Sequence, residues 1–338
     1  VRRAGPRWLG RIAAVVVGAV LVGSPVAIAD AGSAEAGSAN TGSAEAGSST
    51  GQRCGRATEQ QSGTSAKYEL RDQGRDREYI LHLPDDYERR SDWPLIIAFH
   101  GRGGTGTEIE GYSGLSTLPA VVAYPSGELG AGDGYRRAWQ GAPYAPPDVD
   151  DVTFTAALLD QLQQTWCVDE QRSYATGKSN GGGLVNLLAC RLPDRFAAVG
   201  IVAGAYYPQS RAGCAEADPM PIMIIHGTGD ATIPYTGDAD RDLPAVADWA
   251  ADWADRNGCR SGPRSRTIGG DVTELRWSRC TDGADVTHLA VSNGGHVWPG
   301  ALAYSGGGWI TPTIDAQTEL WQFFRRHTAP ASANGGDR

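Results

Sequence analysis

The feature that most constrains the fold is the unbroken apolar run Leu95-Ile96-Ile97-Ala98-Phe99, entered at Pro94 and left at Gly101. A short continuous run of this kind suits a strand buried on both faces, as in a parallel sheet, rather than a strand with one wet face. Similar runs recur at Val121-Val122-Ala123-Tyr124, Ser173-Tyr174-Ala175-Thr176, Val199-Gly200-Ile201-Val202 and Ile222-Met223-Ile224-Ile225. Helix-like segments separate them. Asp151 is placed to cap a helix whose Leu158, Leu159, Leu162 and Trp166 share a face. Leu184, Leu187 and Leu188 read as a second helix, Trp249 and Trp253 as a third, and Asp315 to Arg325 as the last. Strands alternating with helices predict an α/β fold: a mostly parallel central sheet with helices on both faces. In such sheets ligands bind at the carboxyl ends of the strands.

The chain's start is set apart from that pattern. Arg2, Arg3, Arg7 and Arg11 precede an apolar run from Ile12 to about Val22, and Ala27-Ile28-Ala29 follows, so residues 1–29 read as a secretory signal peptide. The run falls short of the ~20 residues that span a bilayer. The Arg2-Arg3 pair leaves Sec and twin-arginine export both open. Residues 30–53 nearly repeat Ala-Gly-Ser-Ala-Glu-Ala-Gly-Ser and hold too few apolar side chains to offset ordering entropy, so they read as a flexible linker. Residues 54–328 fit one domain, with 329–338 as a disordered tail.

The formal charge is −9, and removing residues 1–29 would take away arginines but no acid. A chain this acidic is a poor nucleic-acid binder. All six cysteines, Cys54, Cys167, Cys190, Cys214, Cys259 and Cys280, lie beyond the cleavage site, and an even number in an exported chain favours disulfides. The expected pairs are Cys259–Cys280 and Cys190–Cys214, leaving Cys54–Cys167 to tie down the domain's start. No CxxC or HExxH pattern supports a metal site.

Gly177-Lys178-Ser179-Asn180-Gly181 matches G-x-S-x-G, a sharp strand-to-helix turn that projects a serine hydroxyl. A second match, Gly47-Ser48-Ser49-Thr50-Gly51, lies in the linker without a strand before it or a helix after it. A phosphate-binding loop is excluded because the glycine it needs five positions before Gly177 is Arg172. A serine needs a neighbouring base. Among His82, His100, His226, His288 and His296, the best placed is His296, in a Gly-rich loop after the strand-like Thr287–Val291. Asp230, in His226-Gly227-Thr228-Gly229-Asp230, is the candidate for orienting that imidazole, although turn aspartates are common in such loops. The order Ser179, Asp230, His296 is the α/β-hydrolase order. An oxyanion hole is expected from the backbone N–H of Asn180 and of Arg102, with Gly103 close behind.

With those motifs in place, the chain resembles the secreted feruloyl esterase and polyhydroxybutyrate depolymerase group of esterases. The resemblance runs in order through His100-Gly101, Tyr124-Pro125, Asp150-Asp151-Val152, Ala175 to Gly182 and Ala197-Ala198-Val199. It continues through His226 to Asp230 with Ile233-Pro234-Tyr235, and Gly295-His296-Val297-Trp298-Pro299-Gly300. It implies an α/β-hydrolase fold, a triad at Ser179, Asp230 and His296, and no metal or organic cofactor. Lys178 departs from the pattern, since the family more often has an apolar residue there.

Within the group the acyl pocket is expected to use Trp298, Trp139 and Tyr135, aromatics near the sheet's active end that suit a feruloyl ring, with core packing as the equal alternative. The expected substrate is therefore a polymer-derived ester, a hydroxycinnamate of plant polysaccharide. Polyhydroxybutyrate (short-chain polyhydroxyalkanoate) depolymerase is the alternative, then acetyl xylan esterase. A non-catalytic surface-binding protein is the remaining reading, and it leaves the ordered Ser, Asp and His unexplained. The expected protein is an extracellular monomer.

Overall fold

The computed structural model describes residues 59–130 and 135–329. The expected signal peptide and linker, Cys54, and the tail from residue 330 lie outside the described residues. In chain order the strands are β1 (Ser65–Asp72), β2 (Arg75–His82), β3 (Trp93–Phe99), β4 (Val121–Pro125), β5 (Glu128–Leu129) and β6 (Arg137–Ala138). They continue with β7 (Val168–Lys178), β8 (Ala198–Val202), β9 (Ile222–Gly227), β10 (Ser261–Ile268), β11 (Val272–Ser278) and β12 (Val286–Val291). The helices are α1 (Gly106–Ser113), α2 (Asp151–Thr165), α3 (Asn180–Arg191), α4 (Val246–Arg256) and α5 (Ala316–Phe324). None is long and apolar enough to cross a membrane.

Ten strands form one sheet in the order β1-β2-β4-β3-β7-β8-β9-β12-β11-β10. The six central strands, β4 to β12 in that order, are parallel to their neighbours. The two outer strands at each margin pair antiparallel. Alternation along β3 explains the layering: Leu95, Ile97 and Phe99 join a core with α2, α3 and α4, while Ile96 and Ala98 point to the other face with α1 and α5. This is the expected α/β-hydrolase arrangement, with helices on both faces.

Local polar choices fix how the helices sit. The cap of α2 is Asp150, not Asp151: its carboxylate accepts the Val152 and Thr153 amides at 3.1 Å each. Asp151 is fully buried and accepts instead from Arg77 at 2.8 Å and the Gln140 amide at 2.7 Å. Breaking a buried pair of this kind by removing one partner costs about 3–5 kcal/mol. In α4 the indole N–H groups of Trp249 and Trp253 both donate to Asn186 Oδ1 at 3.0 Å, joining α4 to α3. Cys190–Cys214 and Cys259–Cys280 are disulfides, as expected from the sequence. Cys167 has no disulfide partner among the described residues.

Candidate active site

The carboxyl ends of β3, β7, β9 and β12 deliver His100, Ser179, Asp230 and His296, respectively, to one edge of the sheet. Ser179 follows β7 and holds φ +57° and ψ −119°, a positive-φ conformation uncommon for a residue with a Cβ. Gly177 and Gly181, two positions to either side, let the turn pack this tightly. A Cβ on Gly181 would stand 2.3 Å from the Phe99 carbonyl oxygen, and one on Gly177 would stand 2.6 Å from Gly181. The first helical bond of α3 runs from Gly183 N–H to Ser179 O at 2.9 Å, so Asn180 N–H has no partner within the helix.

His296 Nδ1 donates to Asp230 Oδ2 at 2.7 Å. The other carboxylate oxygen, Oδ1, accepts the Thr232 and Ile233 amides at 2.8 and 2.9 Å. His226 Nε2 must carry a proton, because it lies 2.9 Å from the Ile233 carbonyl, and that N–H also lies 3.3 Å from Asp230 Oδ2. Burial alone would raise the Asp230 carboxyl. The hydrogen bonds from His226 and His296 and the backbone outweigh it and hold Asp230 well below the usual carboxylate range. Burial lowers the His296 pKa, the Asp230 bond opposes this, and the Lys178 charge lowers it further. Asp230 therefore stays ionised while the imidazole stays neutral at neutral pH. Ser179 and His296 line the same cleft, of about 720 Å³, although no hydrogen bond joins their side chains. Catalytic hydrogen bonds of this kind often tighten only in the complex with substrate.

The turn after β3 is built by His100. Gly127 N–H donates to its Nε2 at 2.9 Å, which leaves the ring proton on Nδ1 to donate to Gly101 O at 2.7 Å. Burial takes this ring down to about 4, so it stays neutral and is structural. Gly103 is a correction to the expected oxyanion hole: its N–H is given to Arg137 O at 2.8 Å and is not free. Arg102 N–H makes no hydrogen bond within the described residues, and the Arg102 side chain stacks on Tyr144 with 4.1 Å from its guanidinium carbon to the ring centre. His288 lies within β12, held by the Ile224 carbonyl and Tyr235 hydroxyl.

The aromatic expectations are also corrected. Trp139 and Trp298 are fully buried and offer no surface to a ligand. Trp139 N–H donates to Asn180 Oδ1 at 2.7 Å, Asn180 Nδ2 donates to Trp139 O at 3.1 Å, and Trp139 Nε1 donates to His100 O at 2.9 Å. Trp139 thus ties the ends of β3 and β7 together, its indole on His100 and its backbone on Asn180. Trp298 Nε1 donates to Ser113 O at 3.1 Å and its ring meets Tyr112 edge-on, so it braces the end of α1. Tyr135 is 78% exposed and does not line the cleft. Glu108, Tyr112, Arg136, Thr232 and the 303–306 segment also line the cleft, and the sequence carries little signal for them. Only the Thr105 cap of α1, which accepts Glu108 N–H at 3.2 Å, was a legible signal for that wall.

A family model described as "Putative esterase" matches residues 71–262, more than half of the chain. The chain belongs to this esterase family. It is 32% identical over 251 residues to a protein described as putative esterase NocK of Nocardia uniformis, covering 67% of this chain and 72% of that one. It is 29% identical over 235 residues to feruloyl esterase B of Piromyces equi, covering 65% of this chain but 42% of the relative. With feruloyl esterase C of Emericella nidulans it shares 33% identity over 171 residues, 48% of this chain and 57% of that one. The chain thus spans less than two thirds of the length of either feruloyl esterase. Among solved structures, an acetyl xylan esterase from Aspergillus awamori superposes with a TM-score of 0.54 at 15% identity, covering 77% of this chain and 99% of that one, which speaks for the fold. The esterase is a carboxylic ester hydrolase.

Proposed function

We propose that this esterase is a secreted serine enzyme that cleaves feruloyl (hydroxycinnamoyl) esters of plant cell-wall polysaccharide through an acyl-enzyme on Ser179. The observation that carries the reading is the 2.7 Å bond from His296 Nδ1 to Asp230, in the wall of the cleft that Ser179 also lines. His296 takes the Ser179 proton as Oγ attacks the ester carbonyl, and the Arg102 and Asn180 amides stabilise the oxyanion. The imidazolium then protonates the leaving alcohol, and water releases the acid by the reverse sequence. The feruloyl esterases among the relatives support the acyl group. With Trp139 and Trp298 buried, the feruloyl ring is assigned to Tyr304, the exposed aromatic of the cleft lining. The two disulfides and the expected signal peptide support export.

A polyhydroxyalkanoate depolymerase is the second reading. Leu302, Tyr304, Trp309 and Ile310 are exposed large apolar side chains on the segment around Gly306, and such a collar suits a polyester surface. Parallel rates on methyl ferulate, p-nitrophenyl acetate and polyhydroxybutyrate suspension test the choice. The proposal expects methyl ferulate to be preferred by kcat/KM. Clearing of the polymer with negligible ferulate hydrolysis contradicts it and favours the second reading.

A further inference from the structure

Lys178 places a cation where packing alone would be met by an apolar side chain. It ends β7, between Gly177 and Ser179, and is only 5% exposed. Its side chain lines the cleft, yet among the described residues its ammonium makes neither a hydrogen bond nor an ion pair. An ammonium has three N–H donors to satisfy, and a buried charge without partners is costly. Asp230, which acts on Lys178 electrostatically, has no oxygen to spare. Its Oδ1 takes two amides and its Oδ2 takes the two histidines.

The neighbours show which part of a substrate the ammonium faces. A Cβ added to Gly306 would stand 1.9 Å from His296 O and 3.2 Å from Lys178 Nζ. Gly306 therefore lies against the His296 backbone and the ammonium together, and Lys178 lies on the His296 side of the cleft. In an acyl-enzyme mechanism the base returns its proton to the departing alcohol, so the alcohol half of the ester lies on that side. Burial lowers the Lys178 pKa to about 8, with Asp230 opposing, which leaves the group mostly protonated at neutral pH.

We infer that Lys178 is a specificity-determining residue for the alcohol half of the ester: its ammonium donates hydrogen bonds to an oxygen acceptor, a hydroxyl or a carboxylate, carried by a sugar leaving group. The inference rests on the serine mechanism proposed above but not on the feruloyl assignment. A methyl ester has no such acceptor on its alcohol.

The test compares wild type, Lys178→Met and Lys178→Arg on matched pairs: methyl ferulate against feruloyl arabinose, and methyl acetate against O-acetyl xylose. An O-acetylated glucuronic acid forms a third arm. Because the readout is a ratio within each variant, partial loss of folded enzyme cancels. Lys178→Met is expected to lower kcat/KM on the sugar esters at least tenfold more than on the methyl esters, chiefly through KM. Lys178→Arg, which keeps the charge, is expected to retain part of that preference. Selective loss on the neutral sugars identifies a hydroxyl acceptor, and selective loss on the uronate alone identifies a carboxylate. Equal losses on methyl and sugar esters in all arms would overturn the inference. If feruloyl esters are not hydrolysed at all, the feruloyl reading fails while the acetyl arms still decide on Lys178.

Discussion

Replacing Asp230 with asparagine should disable the base without disturbing the surrounding turn, and the hydrogen bonds determine how. The carboxylate faces two sets of donors: the Thr232 and Ile233 amides on Oδ1, and the His296 and His226 rings on Oδ2. An asparagine must choose which set meets its NH₂. Turning the NH₂ toward the two backbone amides sets donor against donor twice, at about 1–3 kcal/mol for each amide left unsatisfied. The carboxamide oxygen therefore takes the Oδ1 position, and the NH₂ faces His296 Nδ1. That ring nitrogen must then be the acceptor, which moves the imidazole proton to Nε2, the nitrogen that has to receive the Ser179 proton. His226 keeps its bond to Ile233 O, so the turn survives. A base locked in the wrong tautomer lowers turnover by ~10⁴, equivalent to about 5 kcal/mol of transition-state stabilisation. Steady-state kcat/KM on p-nitrophenyl acetate at pH 6 to 8, with circular dichroism as the control for folding, measures this. A folded Asp230→Asn enzyme within tenfold of wild type would refute the tautomer argument.

Two further outcomes follow from the same geometry. His296 acts unprotonated, and burial with the Lys178 charge lowers its pKa below the ordinary 6.5 against the pull of Asp230. In a pH profile kcat/KM should thus rise through a pKa below 6.5 and be level through neutrality, whereas a midpoint above 7 would contradict this. The Cys190–Cys214 bridge spans a sequence separation of 24, for which chain entropy gives about 3.5 kcal/mol. Replacing both cysteines by alanine should lower the unfolding free energy in urea by about that amount, and an unchanged midpoint would show that the bridge contributes little.

The elements that sequence made legible are those buried on both faces. β3, β4, β8 and β9 are uniform apolar runs because helices cover both sides of the sheet, and the glycines around Ser179 mark a turn that no larger residue fits. The margins were not legible. β1 alternates exposed and half-buried residues, and β10 is mostly exposed, so neither carries the apolar run that marked the centre. Adjacent aspartates misled the reading of α2, because spacing alone does not say that Asp151 turns inward to Arg77 while Asp150 caps. The tryptophans misled it in another way. An indole close to the site in sequence can as well brace the site from behind, and Trp139 and Trp298 each spend their N–H on a backbone carbonyl there. Lys178 was visible as a departure from the family pattern, but only the structure puts its side chain in the cleft wall.

The central claim is that Ser179 is the nucleophile, and covalent labelling tests it most directly. Wild-type protein treated with a fluorophosphonate probe, digested and mapped by mass spectrometry should carry one adduct, on Ser179, with loss of esterase activity in step with labelling. Ser179→Ala should take up no probe and retain its fold. An adduct on another residue that tracks the loss of activity, or an active Ser179→Ala enzyme, would contradict the account.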